Sequence, residues 1–400
     1  MGRGAAPWLA WVCVMGCSTT VVGTTAPTDA GAVDARDAAT VDVPMEDRVD
    51  GGCECPGRCE AGRCVRAVEV AGGISHTCVR FEDGSVRCRG DNTAYGQLGV
   101  GHEDVVLDAV APLGVSEVVS LAAGDFSVCV VRRDGAVLRW GSAAGRENST
   151  PAAVPAVPAS VEVTAGTFHE CARGADGEVW CWGFNNAGEL GDDSYYSSAP
   201  RASAGLRGAV EVRASVTATC ARWADDTVRC MGHNEHGQRG DTSAEWRGLG
   251  VPFSLPGVTQ LSAKVSHVCA LREDGTVWCW GWNNEGQLGD GTTTDRAAPV
   301  QAMGVRDAVA VAAGRYHTCA LQRGGTVLCW GSNARSQRGA GEAAVSATPN
   351  VVAGLRDAVA IGAGWDHTCA IVADGSVWCW GEPGRTSSVP FARAPVRVRW

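Results

Sequence analysis

The sequence predicts an all-β fold, a seven-bladed β-propeller of four-stranded antiparallel blades, and three observations predict it. One pattern of about fifty residues runs seven times from residue 65 to the end: HTCA-L, then DG, then VWCWG and a Gly-rich tail. A period of that length marks a solenoid, a propeller or an array. The first cysteines of the copies, Cys78, Cys129, Cys171, Cys220, Cys269, Cys319 and Cys369, are 51, 42, 49, 49, 50 and 50 residues apart. Each copy reads as short strands separated by turn residues, and Gly, at 53 of 400 residues, supplies the turns.

The chain ahead of the repeats divides in three. Residues 1–16 read as a lipoprotein signal peptide: Arg3 gives a positive start, and Pro7 to Met15 form an apolar run too short to span a bilayer. The run ends in Val14-Met15-Gly16-Cys17, which resembles the lipobox of bacterial lipoproteins and implies acylation of Cys17. Residues 17–52 are rich in Thr, Ala and Asp and lack aromatics, a composition that cannot bury a core and is expected to be a disordered tether. Residues 53–64 hold Cys53, Cys55, Cys59 and Cys64. Four cysteines so close suit zinc or two disulfides, and the oxidising compartment implied by export favours disulfides of undetermined connectivity.

The propeller follows, over 65–400, and its fifth copy shows the unit. Val258-Thr259-Gln260-Leu261 alternates apolar and polar as a half-buried strand does. Ser266 to Leu271 gives a second strand, Glu273-Asp274-Gly275 a hairpin tip, and Val277 to Gly281 a third strand rich in aromatic and β-branched residues. A turn-rich tail leads to a fourth strand beginning at Ala298-Pro299-Val300. With Gly275 in the left-handed position of a three-residue loop, Leu271 pairs with Val277, Ala270 with Trp278, and Cys269 with Cys279. The same spacing of ten recurs as Cys78/Cys88, Cys171/Cys181, Cys220/Cys230, Cys319/Cys329 and Cys369/Cys379. Six disulfides within blades are therefore expected. In the second copy Arg139 stands opposite Cys129, which predicts a free buried thiol. The last copy ends with Ala394 to Val398, matching the fourth strand of the other copies. On this phasing each blade is covalently whole and the ring closes by packing blade seven against blade one; the alternative is a circular permutation that shares one blade between the two termini.

The stretches Trp280 to Asp290 (WGWNNEGQLGD) and Asn92 through Gly99, with the preceding GxxHTCAL, resemble the repeat of the regulator of chromosome condensation family. That resemblance covers roughly 65–400 and implies a seven-bladed propeller. It implies little about function, because relatives include an exchange factor, a secreted β-lactamase inhibitor and bacterial surface proteins. Blades two and seven lack the NxxGQLG segment, and the repeat glycine before the second strand is Ser215 in blade four and Lys264, the chain's sole lysine, in blade five.

No catalytic set is visible: no nucleophile elbow, HExxH, phosphate loop or isolated carboxylate pair. His76, His169, His267, His317 and His367 occupy one repeat position, one per blade, and are expected to bond backbone in a neighbouring turn rather than a metal. His233 and His236 lack a third ligand, and the loop Asp290 to Asp295 lacks calcium-loop spacing. Alternating tryptophans on the third strands (Trp180, Trp182, Trp278, Trp280, Trp330, Trp378 and Trp380) are assigned to core and inter-blade packing. Topology places the first–second and third–fourth loops on one face. There Phe184, His233 and Trp282 follow the third-strand glycines of blades three to five, while Phe126, Phe168, Tyr316 and Trp365 lie in first–second loops. Aromatic loop tips gathered on one face mark a candidate binding surface, unless the rings fold back to cap the blade edges.

Together these features point to an envelope-anchored, non-catalytic binding module that engages a protein or polymer through one propeller face. An extracytoplasmic enzyme inhibitor resembling the β-lactamase inhibitory propeller is the alternative; guanine-nucleotide exchange is opposed by export. The net charge of −10 speaks against nucleic acid as partner. No cofactor or metal is expected, the lipid supplies the membrane contact, and the expected location is the bacterial outer membrane or cell surface.

Overall fold

A DG tip fixes each hairpin. In blade five Asp274 Oδ1 accepts the Thr276 N–H at 3.0 Å and its hydroxyl at 2.6 Å, while Gly275 takes φ +74°. Thus the loop closes at three residues and the register follows: Leu271 opposite Val277, Ala270 opposite Trp278, Cys269 opposite Cys279. Asp83, Asp134, Asp176, Asp225 and Asp374 accept the N–H two residues on in the same way.

These hairpins build the propeller in a computed structural model that describes residues 57–60, 63–93, 95–104, 106, 108–143, 146–243, 247–339, 341, 343–382 and 392–400. Each blade uses consecutive antiparallel strands, as in blade five: Val258–Lys264, His267–Arg272, Val277–Gly281 and Arg296–Gln301. Blades two to seven have four such strands. In blade one the fourth is reduced to a single bridge between Cys88 and Val110. Among the described residues the one helical segment is a 3-10 turn at Ala204–Leu206. A short hairpin, Arg58–Glu60 with Arg63–Val65, precedes the ring, anchored by Arg58 on Asp83 at 3.0 Å.

All six expected intrablade disulfides are present: Cys78–Cys88, Cys171–Cys181, Cys220–Cys230, Cys269–Cys279, Cys319–Cys329 and Cys369–Cys379. Their Cα atoms lie 4.0–4.1 Å apart across the non-hydrogen-bonded pair of the hairpin. The third-strand partners Cys88, Cys181, Cys230, Cys279 and Cys329 are completely buried in the apolar clusters between blades. These cysteines therefore staple the core, because pleat alternation turns them inward to the apolar clusters between blades. Cys129 is the expected buried thiol, opposite Arg139. One expectation is corrected: Cys64, on the exposed edge of the two-stranded hairpin, carries a free thiol. The backbone pairs it with Cys59. Cys17, Cys53 and Cys55, with the signal peptide and the tether, lie outside the described residues.

Blades meet through a repeated wedge. The Trp one residue after the third-strand cysteine, or after Arg139 in its place in blade two, is fully buried and donates its indole N–H to a main-chain carbonyl of the preceding blade: Trp140 to Gln97, Trp280 to Gln238, Trp330 to Gln287, Trp380 to Gln337, all within 2.8–3.1 Å. Alternation explains the other third-strand tryptophans: Trp180, Trp278 and Trp378 point the opposite way and are half-buried. The histidines form a second interblade link. His169, His267, His317 and His367 place Nε2 2.8–3.0 Å from the hydroxyls of Thr219, Thr318, Thr368 and Thr77. Their expected backbone partners are thus corrected to a side chain of the next blade, reachable because the hydroxyl stands beside that blade's repeat cysteine. The last of these links, His367 to Thr77, crosses the seam where blade seven meets blade one. There Val70, Phe81, Ile371 and Val398 share one apolar cluster, so the ring closes by packing between two whole blades.

Candidate interaction face

The third strand of every blade carries, at or within two residues of its end, a glycine that rests against a first–second loop. A Cβ on Gly281 would lie 2.4 Å from Ser266 O, and one on Gly183 2.3 Å from Phe168 O, so only glycine fits at this approach. The next residue donates its N–H to that same carbonyl in all seven blades: Asp91 to Ser75, Ser142 to Phe126, Phe184 to Phe168, His233 to Thr217, Trp282 to Ser266, Ser332 to Tyr316 and Glu382 to Asp366. The two loop sets therefore form one continuous surface.

The motif asparagine shapes the longer third–fourth loops from within. Asn283 Nδ2 donates to Thr292 O and Thr294 O, and its Oδ1 accepts the Leu288 N–H at 2.9 Å. Asn185 and Asn234 do the same in blades three and four. Hence NxxGQLG is a loop-folding device and Asp290 is committed to it, bonded to Asn283, Thr292 and Arg296.

The predicted rings meet in two arcs. Tyr95, Phe126, Phe168, Phe184 and Tyr196 run in sequence across blades one to three, with centroids 4.7, 6.1, 5.5 and 5.4 Å apart. His236 stacks on Trp282 at 4.9 Å, Trp282 meets Tyr316 at 5.0 Å, and the Arg315 guanidinium lies 4.4 Å from both Tyr316 and Trp365. The arcs break between Tyr196 of blade three and His236 of blade four. The loop residue of blade four is Thr217, and the His233 ring accepts from Gln238 Nε2 at 3.3 Å. Burial, and next the charges of His236 and Arg239, lower the His233 pKa, opposed by Glu235. Phe168 and Phe184 stay 46% and 36% exposed, which sets them apart from rings tucked into a blade edge; Phe126, Trp282, Tyr316 and Trp365 are half-buried.

The axial end of this face is closed by charge. Lys264 Nζ, in blade five, donates to Gly72 O of blade one at 3.2 Å and lies 3.5 Å from Asp125 Oδ1 of blade two. Asp125 also accepts from Trp365 Nε1 at 2.6 Å and from the Thr167 hydroxyl. Sequence reasoning missed Tyr95, Tyr196, Arg315 and Asp125, whose side chains reach neighbours through loop geometry. The irregular Lys264 was the visible signal for the axis.

Among the described residues no cluster of His, Cys, Asp or Glu could hold a metal ion. His236 instead contacts Asp295 at 2.8 Å. No helix among them is long and apolar enough to cross a membrane.

Blades of this build, with loops held on one face, define a regular propeller of the kind that serves generally as a binding or regulatory module. The family model for the RCC1-like domain matches residues 113–388, and that for the regulator of chromosome condensation (RCC1) repeat matches 67–97; the chain belongs to this family. Among solved structures it is similar to Prp20p of Saccharomyces cerevisiae, described with its binding to Gsp1p and histones, at 21% identity and TM-score 0.67 over 75% of this chain and 80% of that one. Human WBSCR16 is similar at 20% identity and TM-score 0.62, over 76% of this chain and 92% of that one. These likenesses show the shared fold.

Proposed function

We propose that the chain is a non-catalytic binding module, held at a bacterial cell envelope by a lipid on Cys17, that engages a protein or polymer through the two aromatic arcs. The observation that carries this reading is the ladder Phe126–Phe168–Phe184–Tyr196, a run of rings in mutual contact, the last three exposed, on loops pinned to a rigid scaffold. Large aromatics presented on stiff loops bind with little further ordering, and such residues dominate interface energetics. Support for the anchor comes from the sequence alone, the apolar run that ends in Val14-Met15-Gly16-Cys17. The tether of 17–52 would then hold the face away from the membrane.

Oxidised protein from Cys53 onward, immobilised beside a Phe168→Ala/Phe184→Ala/Trp282→Ala variant of equal Tm, tests the face against solubilised envelope extract. Material retained by the parent and lost by the variant is the expected result. A variant that keeps every partner of the parent would end the proposal. Metabolic labelling with a palmitate analogue tests the anchor separately: Cys17→Ala should lose the label.

A further inference from the structure

The second arc shows what rings on this face hold. Arg315, the residue before Tyr316 in the first–second loop of blade six, lays its guanidinium 4.4 Å from the Tyr316 ring and 4.4 Å from the Trp365 ring of blade seven. His236 of blade four stacks on Trp282 and contacts Asp295 at 2.8 Å. The second arc therefore carries its own basic groups. Such a group is drawn to a ring face by the negative charge of the π cloud.

The first arc has equivalent rings and no such cation. Phe126 and Phe168 stand where Tyr316 does, two residues after the repeat glycine, but the residues before them are Asp125 and Thr167, which bond each other. Among the described residues no guanidinium lies over Phe126, Phe168 or Phe184. The surroundings are acidic. The loops of this arc, 91–104, 142–147 and 184–196, hold Asp91, Glu103, Asp104, Glu147, Asp192 and Asp193 at half-buried or exposed positions, against one arginine, Arg146. Glu147 pairs in register with Ser142, whose N–H rests on Phe126 O, and Asp193 lies in the loop between Phe184 and Tyr196. Both are exposed, and neither makes an ion pair among the described residues. Exposed rings beside such carboxylates are complementary to a guanidinium, which stacks by its flat face and donates along its edge.

We infer that the first arc docks an arginine-bearing basic segment of a partner protein, its guanidinium groups lying over Phe168 and Phe184 and donating to Glu147 and Asp193. The inference names the partner's chemistry and so rests on the reading of the aromatic face as a binding surface. The test uses full-length oxidised protein and calorimetric titration with the end-blocked peptide Gly-Arg-Gly-Arg-Gly-Arg-Gly. The same peptide with citrulline, a neutral isostere, at each arginine runs beside it. Saturable binding of the arginine peptide is expected, at least about tenfold tighter than that of the citrulline peptide. Phe168→Leu/Phe184→Leu keeps net charge and apolar character while removing the rings, and should weaken binding about fivefold or more. Glu147→Gln/Asp193→Asn should weaken it by a similar factor and reduce its dependence on salt. Trp282→Leu, in the arc that carries its own basic groups, should leave it unchanged, with all variants compared at equal Tm. No saturable binding, equal binding of the two peptides, or an unchanged constant in the phenylalanine variant overturns the inference, as does an equal loss in Trp282→Leu. A partner without basic residues, retained from envelope extract by the parent alone, would uphold the aromatic face and end this inference.

Discussion

Trp182 donates its indole N–H to the carboxylate of Glu170 at 2.6 Å, where the wedges of four other blades donate to a backbone carbonyl. The cause lies one blade back. Blade two lacks the NxxGQLG segment, so no glutamine carbonyl reaches Trp182, and Glu170, fully buried, replaces it. The same carboxylate accepts from Ser127 at 2.9 Å and meets Arg139 at 3.3 Å, and Arg139 stands where the blade's second cysteine would be. Three departures from the repeat therefore compensate one another.

That network makes a coupled prediction. Glu170→Ala should cost about 3–5 kcal/mol, since it strands a buried guanidinium and an indole N–H. Arg139→Cys places a cysteine opposite Cys129 at the spacing of the six native disulfides, and a loop this short contributes about 2–3 kcal/mol. The double variant removes both charges and should recover most of the loss, with a coupling of about 2 kcal/mol or more. Denaturant unfolding measures the energies, and a thiol titre lowered by one in Arg139→Cys/Glu170→Ala reports the bridge. Additive losses would show that the pair is not coupled.

The buried histidines set an acid limit. Burial lowers His267 and His317 to a pKa of about 3, and His169 and His367 to about 4, against 6.5 when free. Between 6.5 and those values the unfolded chain binds protons that the folded chain refuses, so stability falls as pH drops through this window and levels off below it. Each histidine contributes a loss of roughly a few kcal/mol at the acid end. His267→Gln, which keeps a group able to bond Thr318, should shift the acid unfolding midpoint downward. A midpoint that does not move would mean other groups govern acid unfolding.

Much of this was legible because counting suffices for it. A DG tip and a spacing of ten specify which residues face each other across a hairpin, so the disulfides and the orphan Cys129 follow without coordinates. The face was legible for a similar reason: in an antiparallel blade, loop order alone decides the side. Partners contributed by other blades were not legible. His267 finds Thr318 51 residues away, and Lys264 finds Gly72 192 residues away across the axis. Such pairs depend on how the ring closes, and Cys64 depends on the exposure of a hairpin edge, which cysteine spacing does not encode.

Glu189 reverses the pH dependence of the histidines. It occupies the place of the motif glutamine in blade three, and burial raises its pKa to about 7, opposed by backbone N–H groups and Arg247. The folded chain holds this proton more tightly than the unfolded one, so the contribution is full below about 4.5 and is lost as pH rises through 7. Glu189→Gln keeps the bond to the Ala187 N–H at 2.9 Å without the charge. It should stabilise the protein by about 1–3 kcal/mol at pH 8 and by almost nothing at pH 4.5. Equal gains at both pH values would mean the charge is not the cause.

The axial pair carries the last prediction. Lys264 and Asp125 are both buried, and they join blades five, one and two at the mouth of the ring. Because closure involves no shared strand, this tie and the hydrogen bond from Trp365 to Asp125 hold the blade seven–blade one seam from the inside. Lys264→Met leaves a buried carboxylate with its two neutral donors only, and should cost about 3–5 kcal/mol. Removing both charges in Lys264→Met/Asp125→Asn should cost about 1 kcal/mol or less, because the amide still accepts from Trp365. Hydrogen exchange gives the spatial readout. The Trp365 amide, bonded to Gly73 O at 3.1 Å across the seam, should exchange faster in the single variant, while amides of the blade five hairpin follow only the global stability change. Protection that falls equally at all sites would make Lys264 an ordinary contributor to stability rather than a latch on the ring.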